Sequence, residues 1–505
     1  MSAVLTIYSA ERQLGKTLLG INLGVSLLNE TQKSVILIEV NDEAERTSAW
    51  KMLKFSSANP IGAEPFTAEI FEQHIQHHSS QLALLTLDAR IFQQPELAQN
   101  VLDILIVLLR ERYEYILFDL SAHFPFITDE LIDATDVFLV IASSFDYDVP
   151  INIIGHRNYR VIISGGEQAL KDAKHGVYGK EYVLPHDVLT VEAFRHSGVP
   201  YVIQLPSRHL SQTVSRLARD IGAKRFGMAL TGGAALGLSQ VGILEVLEQN
   251  RIAFDMMTGA SFGALIGGAY AAGIELERIK QHVLEWARSC RPMPNFSIHR
   301  LFREEFFLDS GLQALCATLL GNTYFDDLII PLHVVAIDAR TGTSVVFKEG
   351  RVIDAVKASM LIPGLFVPFK HSERHLIDGS VIYPTPVFPL KQMGANITIA
   401  VMVTPTPAES QAYVRQKFSN RQTAEQKAMY QNYALVAATF DSLMERLIDS
   451  PTAPELAQRI APDVFILPDM MGISWRDFHR APVLIERGAR ATEAAIPQIE
   501  KLRWG

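Results

Sequence analysis

Along the first third of the chain, short apolar runs rich in β-branched residues alternate with longer stretches of helical period. Val4 to Tyr8, Ser34 to Val40, Tyr115 to Leu120 and Val137 to Ala142 are of the first kind, and Lys16 to Leu28 is of the second. Strand and helix signals in alternation predict a parallel sheet flanked by helices. Val161 to Ser164 and Tyr182 to Leu184 extend the strands, while Val191 to Ser197 and Ser211 to Asp220 read as helices. The run Ile221-Gly-Ala-Lys-Arg225 breaks the pattern and is the expected linker. A second alternation starts at Phe226 to Leu230 and runs to Ile397 to Val403, where Thr404-Pro-Thr-Pro407 ends the strand. From Ala408 to about Leu447 the period is helical, followed by a strand at Val464 to Leu467 and a helix from Pro482 to Leu502. The pattern predicts an α/β protein of two domains, 1–220 and 226–505, the first built on a mostly parallel sheet.

A length of 505 residues, 48% of them apolar and 20% charged, is ordinary for folded domains and excludes a small binding module. With 46 Lys and Arg against 55 Asp and Glu, the net charge of -9 argues against a nucleic-acid partner. Cys290 and Cys316 have neither metal-ligand nor disulfide-framework spacing, so no metal site is expected and a reducing cytoplasm fits. The start, Met1-Ser-Ala-Val-Leu-Thr-Ile, lacks a basic segment before an apolar run, so secretion is not expected. The uncharged stretch Met256 to Ile274 is long enough to raise a membrane span, with Gly259, Gly263 and Gly267 at GxxxG spacing. Its glycines predict instead a buried helix packed closely on a sheet.

Gly259-Ala-Ser261-Phe-Gly263 lies between an expected strand near Asp255 and this glycine-rich helix. A serine on a tight strand-to-helix turn presents its hydroxyl at the helix N-terminus, and flanking glycines allow the turn. Upstream, Leu230-Thr-Gly-Gly-Ala-Ala-Leu-Gly237 follows a strand and precedes a helix near Leu238. Such a loop presents backbone N–H groups suited to an oxyanion or a phosphate. Only 24 residues separate Gly237 from Ser261, so one strand-helix-strand unit would bring both helix N-termini to one sheet edge. Leu376-Ile-Asp378-Gly379-Ser380 supplies an acid at the end of a short strand, read either as a turn or as a proton acceptor for Ser261. Ser261, Asp378 and His479 also stand in the chain order of an α/β-hydrolase triad, a competing arrangement.

Gly232-Gly-Ala-Ala-Leu-Gly237, Gly259-Ala-Ser-Phe-Gly263, Ala358-Ser-Met-Leu-Ile-Pro-Gly364 and Asp378-Gly-Ser380 resemble, in order, the motifs of patatin-like phospholipases. The resemblance runs from about Phe226 to Leu502, with bacterial relatives and the neuropathy target esterase group nearest in pattern. It implies a patatin-like α/β hydrolase domain acting on phospholipid or lysophospholipid esters, with Ser261 as nucleophile and Asp378 as its dyad partner. Gly232, Gly233, Ala234 and Gly237 would form the oxyanion hole, and no cofactor is required for hydrolysis. Where the family loop usually has a third glycine and then Arg or Lys, this chain has Ala234 and Leu236, and Ser380 replaces a usual Gly or Ala. The loop's backbone donors are expected to survive an Ala only if its φ stays negative, and the missing cation removes a support for the loop or for a substrate phosphate. A catalytically impaired lipid-binding or nucleotide-switched positioning protein is the alternative function.

In the first domain, Ser9-Ala-Glu-Arg-Gln-Leu-Gly15-Lys16-Thr17 stands between a strand and a helix, where a phosphate-binding P-loop would be. With Ser34 to Val40 and Tyr113 to Asp119 it resembles the Min/Par partition ATPases over roughly residues 1–220. The resemblance implies ATP and magnesium at Gly15, Lys16, Thr17 and Asp119. Yet Ala10 replaces the first P-loop glycine, Glu11 stands at the signature lysine, and Glu39 and Asn41 replace paired aspartates. An acid in a phosphate cradle opposes binding, so a scaffold or regulatory domain is expected. Lipid substrates imply transient contact with a membrane surface by a cytoplasmic, peripheral protein. Leu210, Val214, Leu217 and Ile221 recur beside Arg208, Arg216 and Arg219 at a spacing that serves either a membrane face or, as favoured here, a packed helix. Met360 to Phe369 is a candidate acyl-channel lining.

Overall fold

A computed structural model of the chain describes all residues apart from 1, 10, 12–13, 42–47, 63–66, 94, 120–130, 145–157, 166–180, 291–309, 363–367, 382–384, 404–460, 474 and 505. Ala10, the turn Thr404 to Pro407, the helical stretch Ala408 to Leu447 and the middle of the Met360 to Phe369 segment therefore lie outside the described residues. Contacts divide the chain into two compact units, Met1–Lys224 and Arg225–Arg503.

The first unit is an eight-stranded sheet of β1 (Ala3–Tyr8), β2 (Val35–Asn41), β3 (Gln76–His77), β4 (Ala83–Asp88), β5 (Tyr115–Asp119), β6 (Val137–Ala142), β7 (Tyr159–Gly165) and β8 (Glu181–Pro185). The order is β3-β4-β2-β5-β1-β6-β7-β8, parallel except for the edge pair β3/β4. Alternate residues feed two cores. Leu5, Ile7, Leu37, Leu117 and Leu139 meet α1 (Lys16–Thr31), and Val4, Ile36, Ile38, Ile116 and Phe118 meet α2 (Pro95–Arg110). Burial on both faces explains why these strands read as continuous apolar runs. Beyond the elements expected from pattern, the structure adds β3, β4 and α2. After α3 (Val188–Ser197), α4 (His209–Ile221) closes the unit. Leu210, Val214 and Leu217 of α4 are buried in the core with α1, and Arg219 pairs with Glu30 at 3.0 Å. The apolar stripe of α4 is thus a packing face.

The second unit carries β9 (Phe226–Leu230), β10 (Met256–Gly259), β11 (Leu332–Asp338), β12 (Ser344–Phe347), β13 (Phe369–His371), β14 (Arg374–Asp378), β15 (Ile397–Val401) and β16 (Val464–Ile466). The order is β13-β14-β11-β10-β9-β15-β16, with β12 paired to β11. Strands β11, β10, β9, β15 and β16 are parallel, whereas β14 runs antiparallel to β11. Helices α5 (Ser239–Gln249), α6 (Phe262–Ala271), α7 (Leu276–Ser289), α8 (Ser310–Leu320), α9 (Val352–Ser359), α10 (Val387–Gln392) and α11 (Ala481–Trp504) complete it. The uncharged stretch Met256 to Ile274 resolves into β10, a turn and the ten-residue α6, buried except at Tyr270. Among the described residues no helix is long and apolar enough to cross a membrane.

Register sets the site. Gly259 pairs with Leu230 on one side and Val334 on the other, so the loops after β9 and β10 emerge side by side. Two residues beyond Val334 on β11, Ala336 pairs with Asp378. The acid therefore stands level with Ser261 across a single intervening strand.

Candidate active site

Ser261 occupies the turn from β10 into α6 with φ 52 and ψ -127, a conformation that L-residues seldom adopt. The turn is tight because α6 starts pressed against the end of β9: a Cβ at Gly263 would stand 2.5 Å from the Thr231 carbonyl oxygen. The Ser261 N–H donates to Ser359 Oγ at 2.8 Å, and that hydroxyl donates to the Val335 carbonyl at 2.6 Å. Ser359, fully buried at the end of α9, thus fastens the turn to β11. It belongs to a motif visible in the sequence, yet nothing there assigns it this role, because its partner is 98 residues away.

Asp378 is buried at the end of β14, and the Ser261 side chain lies near enough to act on its carboxyl. Its Oδ1 also accepts from Ser380 N at 2.8 Å and Ser380 Oγ at 2.6 Å. Burial pushes the Asp378 carboxyl above the ordinary carboxylate range, and the bonds from Ser380 and the nearby Ser261 hydroxyl oppose that rise. The structure thus brings Ser261 and Asp378 together. His479 stays apart from them: it is exposed in the short turn Phe478–Arg480 and has no hydrogen bond among the described residues. The chain order that suggested a triad is not matched by a histidine on this carboxylate.

The glycine loop closes the third side. Gly233 has φ 134 and Ala234 has φ 50, so the negative φ expected of Ala234 is not found. Leu236 N bonds back to Gly233 O, and Ala235 N donates to Trp475 O at 2.9 Å, which holds the loop in this shape despite the Cβ. The N–H groups of Gly232, Gly233 and Ala234 meet no protein acceptor among the described residues, nor does that of Phe262. Gly232 is appressed to the pair, since a Cβ there would stand 2.9 Å from Ser261 Cβ and 2.5 Å from Ser380 Oγ. Gly237 lies deeper, in the short 3-10 turn Ala234–Leu238 against the Phe262 side chain. Phe262 in turn packs with Trp286 and Phe478 at ring separations of 5.7 Å each. Met360 and Leu361 are buried beside the site, and Asp378 N donates to Leu361 O.

In the first unit, Gly15 caps α1 with φ 85, Lys16 and Thr17 open that helix, and Asp119 ends β5 level with Ile7 and Glu39. These four residues gather at one edge of the sheet. Glu11 Oε1, however, accepts from Ser143 N and Oγ, which fixes an acid in the loop between β1 and α1. Glu39 is buried and accepts from Ala49 N. Among the described residues no cluster suited to a metal ion occurs in either unit.

Residues 228–391 match the patatin-like phospholipase family. An uncharacterised NTE family protein of Mycobacterium tuberculosis is 29% identical over 223 residues, 42% of this chain and 59% of that protein. The human patatin-like phospholipase domain-containing protein 6 is 30% identical over 192 residues, 37% of this chain and 14% of that protein. The chain thus spans about three fifths of the first of these relatives and about a seventh of the second. Among solved structures, the MinD cell division protein of Aquifex aeolicus is 20% identical with a TM-score of 0.33, over 44% of this chain and 98% of that one. VipD from Legionella pneumophila is 12% identical with a TM-score of 0.29, over 55% and 66%. The stretch from β9 to α10 thus carries a match to the patatin-like phospholipase family, in a chain whose relatives include proteins named for the NTE family.

Proposed function

We propose that the second unit is a serine acyl hydrolase acting on phospholipid or lysophospholipid esters. The observation that carries this reading is the juxtaposition of Ser261, on its strained turn, with the buried Asp378 one strand away, beside backbone donors that meet no protein acceptor among the described residues. Ser261 Oγ attacks the ester carbonyl while Asp378 takes its proton. The N–H groups of Gly232, Gly233, Ala234 and Phe262 are aimed at the oxyanion that develops, the lone pair of the attacking oxygen having displaced the carbonyl π electrons. Collapse expels the alcohol, which receives the proton from Asp378, and leaves an acyl-Ser261. Water then attacks the acyl group by the same path, giving up its proton to Asp378 and releasing the fatty acid and the free serine. Water is the only co-substrate these steps require. A lipid substrate brings the protein into transient contact with a membrane surface.

For the first unit we infer a scaffold or regulatory role and not a nucleotide-driven one, because Glu11 is fixed by Ser143 in the loop where an anion would be cradled.

The test of the hydrolase reading is Ser261→Ala, which removes one buried oxygen. Release of fatty acid from lysophosphatidylcholine and of alcohol from a short-chain ester should fall to background, labelling by a fluorophosphonate should vanish, and the melting temperature should change by less than about 2 °C. Wild-type turnover in this variant would reject the acyl-enzyme.

A further inference from the structure

Two hydroxyls stand by the Asp378 carboxylate. One is Ser261. The other is Ser380, which reaches Oδ1 twice, through its N–H at 2.8 Å and its Oγ at 2.6 Å. Ser380 also stands against the glycine loop, its Oγ 2.5 Å from where a Gly232 Cβ would lie. It therefore touches the carboxylate and the loop at once, while Gly379 between them is held so close to the Val335 carbonyl that a side chain there would overlap it. Neither Ala nor Gly at 380 could supply the Oγ contact, although both would keep the N–H.

We propose that Ser380 is a positioning residue for acyl transfer: its hydroxyl holds Asp378 ionised and oriented as the proton acceptor for Ser261. This rests on the reading of Asp378 as the base. A carboxylate deep in an apolar surround loses its charge unless donors hold it, and here the donors are hydroxyls and an amide with no cation among them. Among the described residues, the surrounding elements supply no other charge to Asp378. On β11, Asp338 is engaged by Arg340 N at 3.0 Å and His333 lies toward the opposite end. On β14, Arg374 and His375 are exposed, and Lys357 of α9 acts on Cys316. Among the described residues, burial raises the carboxyl and Ser380 and Ser261 lower it.

Removing the hydroxyl leaves the carboxylate less stabilised, so protonation sets in at higher pH and the acid limb of the rate profile moves upward. In the full chain, kcat/KM for a soluble short-chain ester and the rate of fluorophosphonate labelling are measured from pH 4 to 9 for the wild type, Ser380→Ala and Ser380→Gly, with melting temperatures alongside. The acid limb in both variants should move up by roughly one pH unit, as expected for one lost hydrogen bond to a charged group, with the alkaline plateau within about tenfold of the wild type. A limb that stays in place in both variants, while Asp378→Asn is inactive, overturns the proposal for Ser380 alone. An undiminished rate in Asp378→Asn overturns it through the failure of Asp378 as base.

Discussion

At the scale of single residues, the site stores backbone strain at Ser261 and secures it with hydrogen bonds from outside the turn. Ser359 occupies both its bonds in that task, to Ser261 N and Val335 O. Ser359→Ala should strand a buried N–H and a carbonyl, lowering stability by about 1–3 kcal/mol. The kcat should fall by roughly tenfold with KM little changed, since the residue lies behind the nucleophile, away from the substrate; steady-state kinetics and thermal melts check both. Asp378 gives a sharper contrast. Asp378→Asn should lower kcat/KM by about 10² or more, the loss expected for a positioned base, whereas His479→Ala should leave it within about twofold. Equal, severe losses in the two variants would restore the triad. The raised Asp378 carboxyl also has a stability consequence. Its favourable contribution is complete below the unfolded value near 3.8 and is lost as pH rises through the higher folded value. Asp378→Asn should therefore melt above the wild type at pH 7.5, and the gap should narrow as the melts are taken toward pH 5.

Among elements, one close approach in the second unit joins helices far apart in sequence. Gly242 of α5 lies against the Ile485 backbone and Gly488 of α11 against the Ser239 backbone, so that a methyl at either position would overlap main chain. Gly242→Ala must push the helices apart, and we expect it to lower stability by about 1–3 kcal/mol in denaturant titrations. Fluorophosphonate labelling of the protein that remains folded should keep the wild-type rate, because the contact is between backbones and carries no catalytic group. The same reasoning explains α4. Its heptad-like stripe is compatible with lipid or with protein, and the buried Val214 and Leu217 against α1 make it protein.

For the whole molecule, the two units pose separate questions. If the first is a scaffold, ATP with magnesium should move the melting temperature by less than about 1 °C, and lipid hydrolysis should proceed at full rate without nucleotide. A shift of several degrees that disappears in Lys16→Ala, or a strict ATP requirement, would make the first unit a switch instead. How far the chain announces all this differs from part to part. Local pattern is enough to specify the central strands, since β1, β6 and β9 are apolar runs bounded by turn residues, and to mark the turn at Ser261, since only small residues permit a strand-to-helix turn pressed on a neighbouring strand. It also made Asp378 a candidate through the apolar run before it. It did not announce β4, which joins the sheet beside β2, or α2, which covers it. Only the tertiary structure decided that Asp378 stands level with Ser261, through the antiparallel entry of β14 beside β11, and that Ser359 and Trp475 O hold the turn and the loop. Those links join residues remote along the chain, and local patterns of polarity and spacing carry no record of which distant group a hydroxyl or an N–H will meet.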